Sequence, residues 1–219
     1  MDIQAFKKFN LKQQLGIDDA KFGKVFSFID FGNVDNWFSE DTNWEGSVIG
    51  EDNKILIDLE RLYDFSKCFS DQSRFYYGHD PKNIGSVKFL GKSKYVFGEK
   101  YVFTKPLQLI RHYLKSDEAT TRNINEDRQG KYIYLPKCNF DVEICVDAIR
   151  LMEKYDTFCL YSSDADFVSL IKFLNNNRKK IILIKGGYIQ HQLKVNSDLV
   201  INAQNIKQYI AYLKQKSSH

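Results

Sequence analysis

The chain has 219 residues and a formal net charge of +4, with 32 lysines and arginines against 28 aspartates and glutamates. Its hydrophobic fraction of 43% and its charged fraction of 27% are typical of a folded globular protein and exclude a disordered or collagen-like chain. A domain of this length buries a large core without disulfides or a structural metal. We therefore expect one domain over residues 1–219.

Membrane and secretion signals are missing from the sequence. No stretch approaches the ~18 consecutive apolar residues of a membrane helix, and residues 1–16 lack the apolar run of a secretory signal. The four cysteines form no Cys-x-x-Cys pair, so neither a zinc site nor a disulfide framework is indicated. We expect a cytoplasmic protein without membrane contact. The mildly basic charge is compatible with a nucleic-acid partner but does not require one.

The first half of the chain offers four predicted elements. Helical spacing of apolar residues over 5–15 predicts a short amphipathic helix. Residues 25–30 form an apolar run without clean alternation, which is typical of a strand covered on both faces in a parallel sheet. Residues 55–69 predict a helix and residues 74–77 a second buried strand.

The middle of the chain is rich in β-forming residues. Glycines interrupt residues 84–104, which predicts a hairpin-like insertion followed by a core strand near 101–104. Pro106 suits the first turn of a helix, so the apolar run that follows it is predicted to be helical, and residues 131–135 predict a short strand. Five lysines on the insertion and its exit suit contact with phosphates about as well as they suit surface solubility: Lys88, Lys92, Lys94, Lys100 and Lys105.

The second half of the chain alternates strands with helices. The predicted strands are 157–162 and 180–185, and the predicted helices are 141–154, 166–176 and 203–214. This alternation predicts an α/β fold, Rossmann-like, with a mostly parallel central sheet and helices on both faces. The apolar residues of the last helix favour packing on the core, and a homodimer formed through the same face is the alternative.

Acidic residues from three separated segments stand where an active-site edge is expected. Asp30 ends the first buried strand and is followed by Asn33, Asp141 begins a helix, and Asp164 and Asp166 follow another strand. Ligands of open parallel sheets bind beyond the carboxyl ends of the strands. If the two strands are neighbours, several carboxylates converge in one pocket.

Converging carboxylates repel one another unless a cation neutralises them. Oxygen ligands favour Mg²⁺ or Mn²⁺, which complete their coordination with water and phosphate oxygens. Such a metal activates water and stabilises the attacking and leaving oxygens of an in-line displacement. The acids therefore predict phosphodiester hydrolysis, with Asn33 positioning a metal-bound water or a phosphate oxygen.

Each acid also has an ordinary structural interpretation. Asp30 and Asn33 could form an Asx-type turn at the end of a strand, and Asp141 and Asp164 could each cap a helix. Any one of them taken alone favours such a local role. The metal site is favoured because they occur together at the expected edge.

Three further signals are interpreted as structural. Asp147 lies off the helical face of Asp141, which favours a salt bridge, and Glu143 is expected to be a solvated acid in the first helical turn. Gly91, Lys92 and Ser93 suggest a phosphate-binding loop. Five residues instead of four separate its glycines, and the following residues are strand-like, so we reject that loop.

Four stretches of the chain together resemble one family. FIDFGNVDNW, KCNFDVEICVDAIRLM, LYSSDADFVSLIKFL and KKIILIKGG closely resemble the NYN domain family of PIN-like nucleases. The resemblance spans residues 24–204, and residues 38–54 and 84–100 look like insertions. It implies a Rossmann-like α/β fold, a Mg²⁺ or Mn²⁺ site and cleavage of RNA.

The resemblance also assigns site residues, motif by motif. Its motifs match this chain at Asp30, Asn33, Asp141, Asp147, Asp164 and Asp166. The chain departs from the family pattern at two points. Lys137 is separated from Asp141 by Cys-Asn-Phe where the family usually has Lys-Gly-Val-Asp, and Ser163 stands where glycine is usual.

The leading hypothesis is a metal-dependent ribonuclease, expected to be an endonuclease, acting on single-stranded or structured RNA. Asp30, Asp141, Asp164 and Asp166 would hold the metal, Asn33 would assist, and a metal-bound water would be the nucleophile. Exposed aromatic side chains would stack on splayed bases.

The alternatives to this hypothesis come from other functional classes. One is a non-catalytic RNA-binding or scaffolding module of the same fold, and another is a nuclease directed at DNA. A haloacid-dehalogenase-type phosphatase needs Asp-x-Asp after its first strand. Here Phe31 and Gly32 lead to Asn33 instead, which makes that class a poor match.

Overall fold

The computed structural model describes residues 3–50, 53–115, 120 and 123–215. Its strands in chain order are β1 (Val25–Asp30), β2 (Asn43–Trp44), β3 (Ser47–Val48), β4 (Lys54–Ile57), β5 (Gln72–His79), β6 (Val102–Pro106), β7 (Gln108–Tyr113), β8 (Asn125–Asp127), β9 (Gly130–Lys137), β10 (Thr157–Tyr161), β11 (Lys180–Lys185), β12 (Leu199–Asn202) and β13 (Ala211–Lys214). Its α-helices are α1 (Ile3–Leu15), α2 (Asp19–Phe22), α3 (Phe31–Val34), α4 (Leu59–Lys67), α5 (Ile84–Phe97), α6 (Asp141–Arg150), α7 (Val168–Asn176), α8 (His191–Val195) and α9 (Lys207–Ile210).

The centre of the fold is a six-stranded sheet in the order β12-β11-β10-β1-β5-β6. Every neighbouring pair in this sheet runs parallel, which confirms the predicted α/β class. β1 lies between β10 and β5, so the chain winds outward from it in both directions. Such a reversal of strand order leaves a crevice at the carboxyl ends of the strands.

Side chains of β1 alternate between two hydrophobic cores, one on each face of the sheet. Val25 and Ile29 pack into the first core, while Phe26 and Phe28 pack into the second. The strand is therefore covered on both sides, as its uninterrupted apolar run predicts. No helix of the described ranges is both long and apolar enough to cross a bilayer.

Two predicted helices include strand segments that pair with each other. Residues 55–69 divide into β4 and α4, because Asp58 caps α4 by accepting hydrogen bonds from the backbone N–H groups of Glu60 and Arg61. The predicted helix 203–214 divides into a 3₁₀ turn, α9 and β13. β13 pairs antiparallel with β4. Ile206 and Ile210 are fully buried in the first core, so the expected packing on the core is confirmed.

The predicted hairpin within residues 84–104 is wrong, because this segment forms α5. Asn83 caps the helix by accepting a hydrogen bond from the backbone of Ser86 at 3.1 Å, and Gly98 ends it with a φ of 87°. Phe89 and Phe97 pack on the first core from one side of the helix. The core strand expected near 101–104 is confirmed as β6.

The lysines of this region consequently lie on an ordered helix and strand instead of a mobile hairpin. Three of them form ion pairs: Lys92 with Glu60 at 3.3 Å, Lys94 with Glu99 at 3.1 Å and Lys105 with Glu143 at 2.6 Å. The rejected phosphate loop lies inside α5, where no helix N-terminus is available to bind an anion.

The helix predicted after Pro106 is also wrong, because those residues form β7. Leu107 donates its backbone N–H to the carbonyl of His79 at 2.8 Å, so β6 passes almost directly into β7. β7 pairs with β9, and β9 with β8, in a separate antiparallel sheet of order β7-β9-β8. We call this three-stranded sheet the wing. Its central strand contains the strand predicted at 131–135.

Candidate metal centre

A cleft of about 400 Å³ lies at the carboxyl edge of the parallel sheet. It is bounded by the segments that follow β1, β9 and β10. All of the site residues predicted from the sequence line it: Asp30, Asn33, Asp141, Asp164 and Asp166. Asp35 lines it as well, an acid that the sequence analysis did not single out although it lies in the first motif.

Three carboxylates converge within the cleft. Asp141, Asp164 and Asp166 each offer one oxygen atom, and these three atoms lie within 4.8 Å of one another. Asp141 is the first residue of α6, whereas Asp164 and Asp166 follow β10. The fold therefore brings together side chains that are more than twenty positions apart in sequence.

Capping explains only one of these three acids. Asp164 does cap the short turn after β10, since it accepts a hydrogen bond from the backbone of Asp166 at 3.0 Å. Asp141 caps nothing. Asn139 accepts the hydrogen bond from the backbone N–H of Asp141 instead, at 2.7 Å. The side chain of Asp141 thus does not cap α6, and its local hydrogen bond is with the side chain of Asn139, which lowers the pKa of Asp141.

Asp30 lies beside the three-carboxylate group without belonging to it. Its Oδ2 accepts a hydrogen bond from the hydroxyl of Ser162 at 3.2 Å. The pKa of Asp30 is raised to about 6, mainly by burial and in part by the negative charges of Asp141 and Asp164, while hydrogen bonds from Ser162 and from the backbone of Asn33 lower it. The carboxyl groups of the cleft therefore interact electrostatically.

Asp141 is affected in the same way. Burial raises its pKa above the usual range, and the charges of Asp164 and Asp166 act in the same direction. Lys137, which ends β9 and lines the cleft, lowers the pKa of Asp141. Lysine at this position thus faces the acids even though the three residues between it and Asp141 differ from the family pattern.

Asn33 holds the cleft together through its amide oxygen. Its Oδ1 accepts hydrogen bonds from Nε1 of Trp37 at 2.9 Å and from the backbone N–H of Ser163 at 3.0 Å. The first contact is local and the second joins the segment after β1 to the segment after β10. A contact between Asn33 and a ligand would therefore come from its Nδ2 group.

Ser163 extends this connection to a third strand end. Its hydroxyl donates to the carbonyl of Gly186 at 2.7 Å and accepts from the backbone N–H of Gly186 at 3.1 Å. Gly186 follows β11, and a Cβ atom there would overlap the ring of Trp37. Sequence reasoning noted the departure at Ser163 but missed that the serine hydroxyl joins two loops, which a glycine could not do.

A close backbone approach positions the opposite wall. A Cβ atom on Gly78 of β5 would overlap the Cβ and Sγ of Cys138. Glycine at this position lets the segment between β9 and α6 lie directly against the edge of the sheet. That segment carries Lys137 and leads into Asp141.

Asp147 makes the salt bridge that the sequence analysis favoured. Its Oδ2 accepts hydrogen bonds from Nη2 of Arg74 at 2.7 Å and from the hydroxyl of Tyr76 at 2.8 Å. Both charged side chains are buried. Asp147 therefore supports the packing of α6 on β5 and is not part of the three-carboxylate group.

The prediction that Glu143 is simply solvated is wrong. Its Oε1 pairs with Nζ of Lys105 at 2.6 Å. Its Oε2 is buried and has no hydrogen-bond partner among the described residues. The lysine of β6 thus reaches across to the first turn of α6.

A model of the NYN domain matches residues 54–206, which is more than half of the chain. The chain belongs to the NYN domain family. The matched residues include all three members of the carboxylate group, whereas Asp30 and Asn33 precede them. Membership of this family indicates a nuclease-type, RNA-related function.

A solved structure shows a similar fold. The crystal structure of a protein of unknown function from Vibrio parahaemolyticus aligns with a TM-score of 0.54 at 16% identity, covering 87% of this chain and 97% of that one. This similarity concerns the fold alone. No curated protein was found to match the sequence.

The residues of the cleft fit the divalent metal that the family typically uses. The donor set consists of carboxylate oxygens, which Mg²⁺ and Mn²⁺ prefer over softer ligands. Three of them meet within 4.8 Å. The raised pKa values of Asp30 and Asp141 show that neighbouring charge and burial disfavour the ionised carboxylates, which a cation would reverse.

Proposed function

We propose that this NYN domain protein is a metal-dependent ribonuclease that hydrolyses phosphodiester bonds in the cleft. The observation that carries the proposal is the convergence of Asp141, Asp164 and Asp166 within 4.8 Å at the carboxyl edge of a parallel sheet. A group of carboxylates beside an open cleft suits the binding of a cation and of the phosphate that it would bring in. Family membership supports RNA as the substrate.

Each carboxylate of the cleft would have a role that follows from its position. Asp141, Asp164 and Asp166 would hold Mg²⁺ or Mn²⁺, with Asp30 beside them. When bound, such a metal supplies an activated water and neutralises charge on the phosphate. Ser162 would orient the carboxyl group of Asp30 through its hydrogen bond. Because the pKa of Asp30 is raised to about 6, its carboxylate is ionised at neutral pH at a cost in stability, which positive charge in the cleft would reduce.

Two other residues would act on the substrate. Lys137 lines the cleft and would place its ammonium group near a substrate phosphate. Asn33 would donate from Nδ2 to a phosphate oxygen, since its Oδ1 already accepts two hydrogen bonds. These contacts would position the scissile bond without any chemical step by either residue.

The test compares two aspartates with the same capping role. Asp164 and Asp58 both accept hydrogen bonds from the backbone of a following turn, but only Asp164 lies in the cleft. Asparagine caps helices as well as aspartate does, so both Asp→Asn variants should fold. We expect Asp164→Asn to lose Mn²⁺-dependent cleavage of RNA, while Asp58→Asn keeps it.

The same assay examines the finer parts of the proposal. A circular RNA has no ends, so products from it would establish endonucleolytic cleavage, and a DNA of the same sequence would test the preference for RNA. Cleavage by Asp164→Asn at the wild-type rate, or wild-type cleavage in excess chelator, would contradict the metal mechanism. RNA binding that is insensitive to chelator and yields no products would favour a non-catalytic binding module.

A further inference from the structure

One face of the wing is continuous with the wall of the cleft. Leu107 and Pro136, at the root of the wing, both line the cleft. The register places Leu109 opposite Pro136, Arg111 opposite Tyr134, and Tyr113 opposite Tyr132. Because side chains alternate along a strand and opposite partners share a face, these residues form one surface, which we call the platform: Leu109, Arg111, Tyr113, Tyr132, Tyr134 and Pro136.

The platform is ordered by its own contacts. Tyr132 is buried beneath its neighbours, with ring centroids 5.7 Å from Tyr113 and 5.5 Å from Tyr134. The guanidinium of Arg111 lies 4.9 Å from the ring centroid of Tyr132. Asp127 of β8 accepts hydrogen bonds from Arg111 and from the hydroxyl of Tyr113. A ligand would therefore meet a surface that is already arranged.

Large side chains of the platform are exposed to solvent. Leu109 is 66% exposed, Tyr134 38% and Tyr113 36%. Exposed aromatic and guanidinium planes at this density suit stacking on nucleobases, because every base offers a π-face. Base faces are accessible in single strands but not inside a duplex.

The charge of the wing complements a phosphate backbone. The described residues of 108–137 include five lysines and arginines against two aspartates and glutamates. Lys131 and Lys137 are exposed at the two ends of β9. By the same alternation these two lysines lie on the opposite side of β9 from Tyr132 and Tyr134, so the positive charge on the platform itself comes from Arg111.

We propose that the platform binds unpaired nucleotides of an RNA strand that extends out of the cleft. This inference rests on the proposed function, since the bond to be cleaved would lie in the cleft. Arg111 lies four positions beyond Leu107 along the strand, a distance of about 13 Å. That length accommodates a few nucleotides whose bases lie against the side chains of the platform. The preferred substrate would therefore be single-stranded for several nucleotides on one side of the scissile bond.

The test measures binding separately from cleavage. Fluorescence anisotropy in excess chelator would compare single-stranded RNAs of increasing length with a duplex of the same sequence. We expect affinity for single strands to rise over the first few added nucleotides and the duplex to bind more weakly. Tyr134→Ala should raise Kd by about 5- to 150-fold, which is the range for loss of one stacked base.

Matched variants separate stacking from structure. Tyr134→Phe keeps the ring and should bind like the wild type. Tyr95→Ala, at an 87% exposed tyrosine of α5 that does not line the cleft, should also leave binding unchanged. Leu109→Glu alters a position that is 66% exposed, so it should leave the core intact, and it should weaken binding through its negative charge. This last variant keeps the test valid if Tyr134→Ala perturbs the wing.

The outcomes distinguish this inference from the proposed function. Unchanged Kd values in both Tyr134→Ala and Leu109→Glu would overturn the platform as an RNA site. Loss of self-association in sedimentation with unchanged RNA affinity would assign the face to contacts between copies of the chain and overturn it too. Platform-dependent binding without any Mn²⁺-dependent products would support the inference while removing the ribonuclease proposal.

Discussion

Asp30 provides a sharp test of the electrostatics of the cleft. Burial, together with the charges of Asp141 and Asp164, raises its pKa from 3.8 to about 6. Without metal, the folded protein at neutral pH therefore holds the ionised carboxylate of Asp30 in a buried, negatively charged environment, which lowers its stability. As pH rises from about 4 to about 6, the unfolded chain releases this proton first, so the free energy of unfolding falls across that interval.

The size of the effect follows from the shift. The pKa rises by the difference between 3.8 and about 6, and each unit corresponds to ~1.4 kcal/mol. Above pH 6, ionised Asp30 therefore lowers the free energy of unfolding of the metal-free protein by about 3 kcal/mol. Asp30→Asn replaces the carboxylate with a neutral group of similar shape and should recover up to that amount.

The assay is urea unfolding in excess chelator at pH 4 and at pH 7.5. We expect Asp30→Asn to be more stable than the wild type by up to about 3 kcal/mol at pH 7.5 and nearly equal to it at pH 4. Asp64→Asn, at an exposed acid of α4, is the control and should change little. Added Mn²⁺ should stabilise the wild type more than Asp30→Asn. An Asp30→Asn variant that is no more stable than the wild type at pH 7.5 would refute the reasoning.

Three other substitutions test the supports around the cleft. Asp147→Ala leaves the guanidinium of Arg74 buried without its carboxylate partner and should cost about 3–5 kcal/mol in urea unfolding, while a folded sample retains Mn²⁺ binding by calorimetry. Gly78→Ala forces a Cβ against Cys138 and should lower the free energy of unfolding by ~1–3 kcal/mol. Adding Cys138→Gly should restore much of that loss. A double variant that is no more stable than Gly78→Ala would contradict the contact. Ser163→Ala removes the hydroxyl that joins the loops after β10 and β11 and should cost about 1 kcal/mol. Its cleavage rate should fall further than its thermal stability suggests, and an unchanged rate would show that the loop connection is dispensable.

Much of the central sheet and the location of the cleft could be predicted from local patterns. The apolar run of β1 indicates burial on both faces wherever the strand lies in the sheet, and alternating strands and helices imply parallel neighbours. Once those strands are parallel, their carboxyl ends meet at one edge, so Asp30 and Asp164 are brought together by topology. The capping of the turn by Asp164 was an alternative at the sequence level, and it coexists with the cluster.

The errors lie where distant partners decide the conformation. Residues 55–57 become a strand because β13 pairs with them, and β7 is a strand because it forms backbone hydrogen bonds with β9. Neither partner is visible in the local sequence, where helix and strand preferences are close. In α5, Val87, Phe89 and Tyr95 suggested a strand, but the cap at Asn83 and the packing of Phe89 and Phe97 on the core favour a helix.

The fine structure of the site depends on contacts that a sequence does not display. Asn33 and Ser163 are joined across 130 positions, and the pairing of Lys105 with Glu143 joins two different elements. The acids could be predicted because their chemistry is specific to the residue type. Serine and asparagine take part in so many local hydrogen bonds that their roles emerge only from the folded chain.

The near continuity of β6 and β7 has a consequence for how sequences of this kind can change. Leu107 alone separates the edge strand of the parallel sheet from the first strand of the wing. A strand has a repeat of two, so inserting or deleting one residue there would turn Arg111 and Tyr113 to the opposite side. Insertions or deletions of two residues at this junction should therefore be tolerated, because they leave Arg111 and Tyr113 on the same side of the strand. Insertions or deletions of one residue should not be.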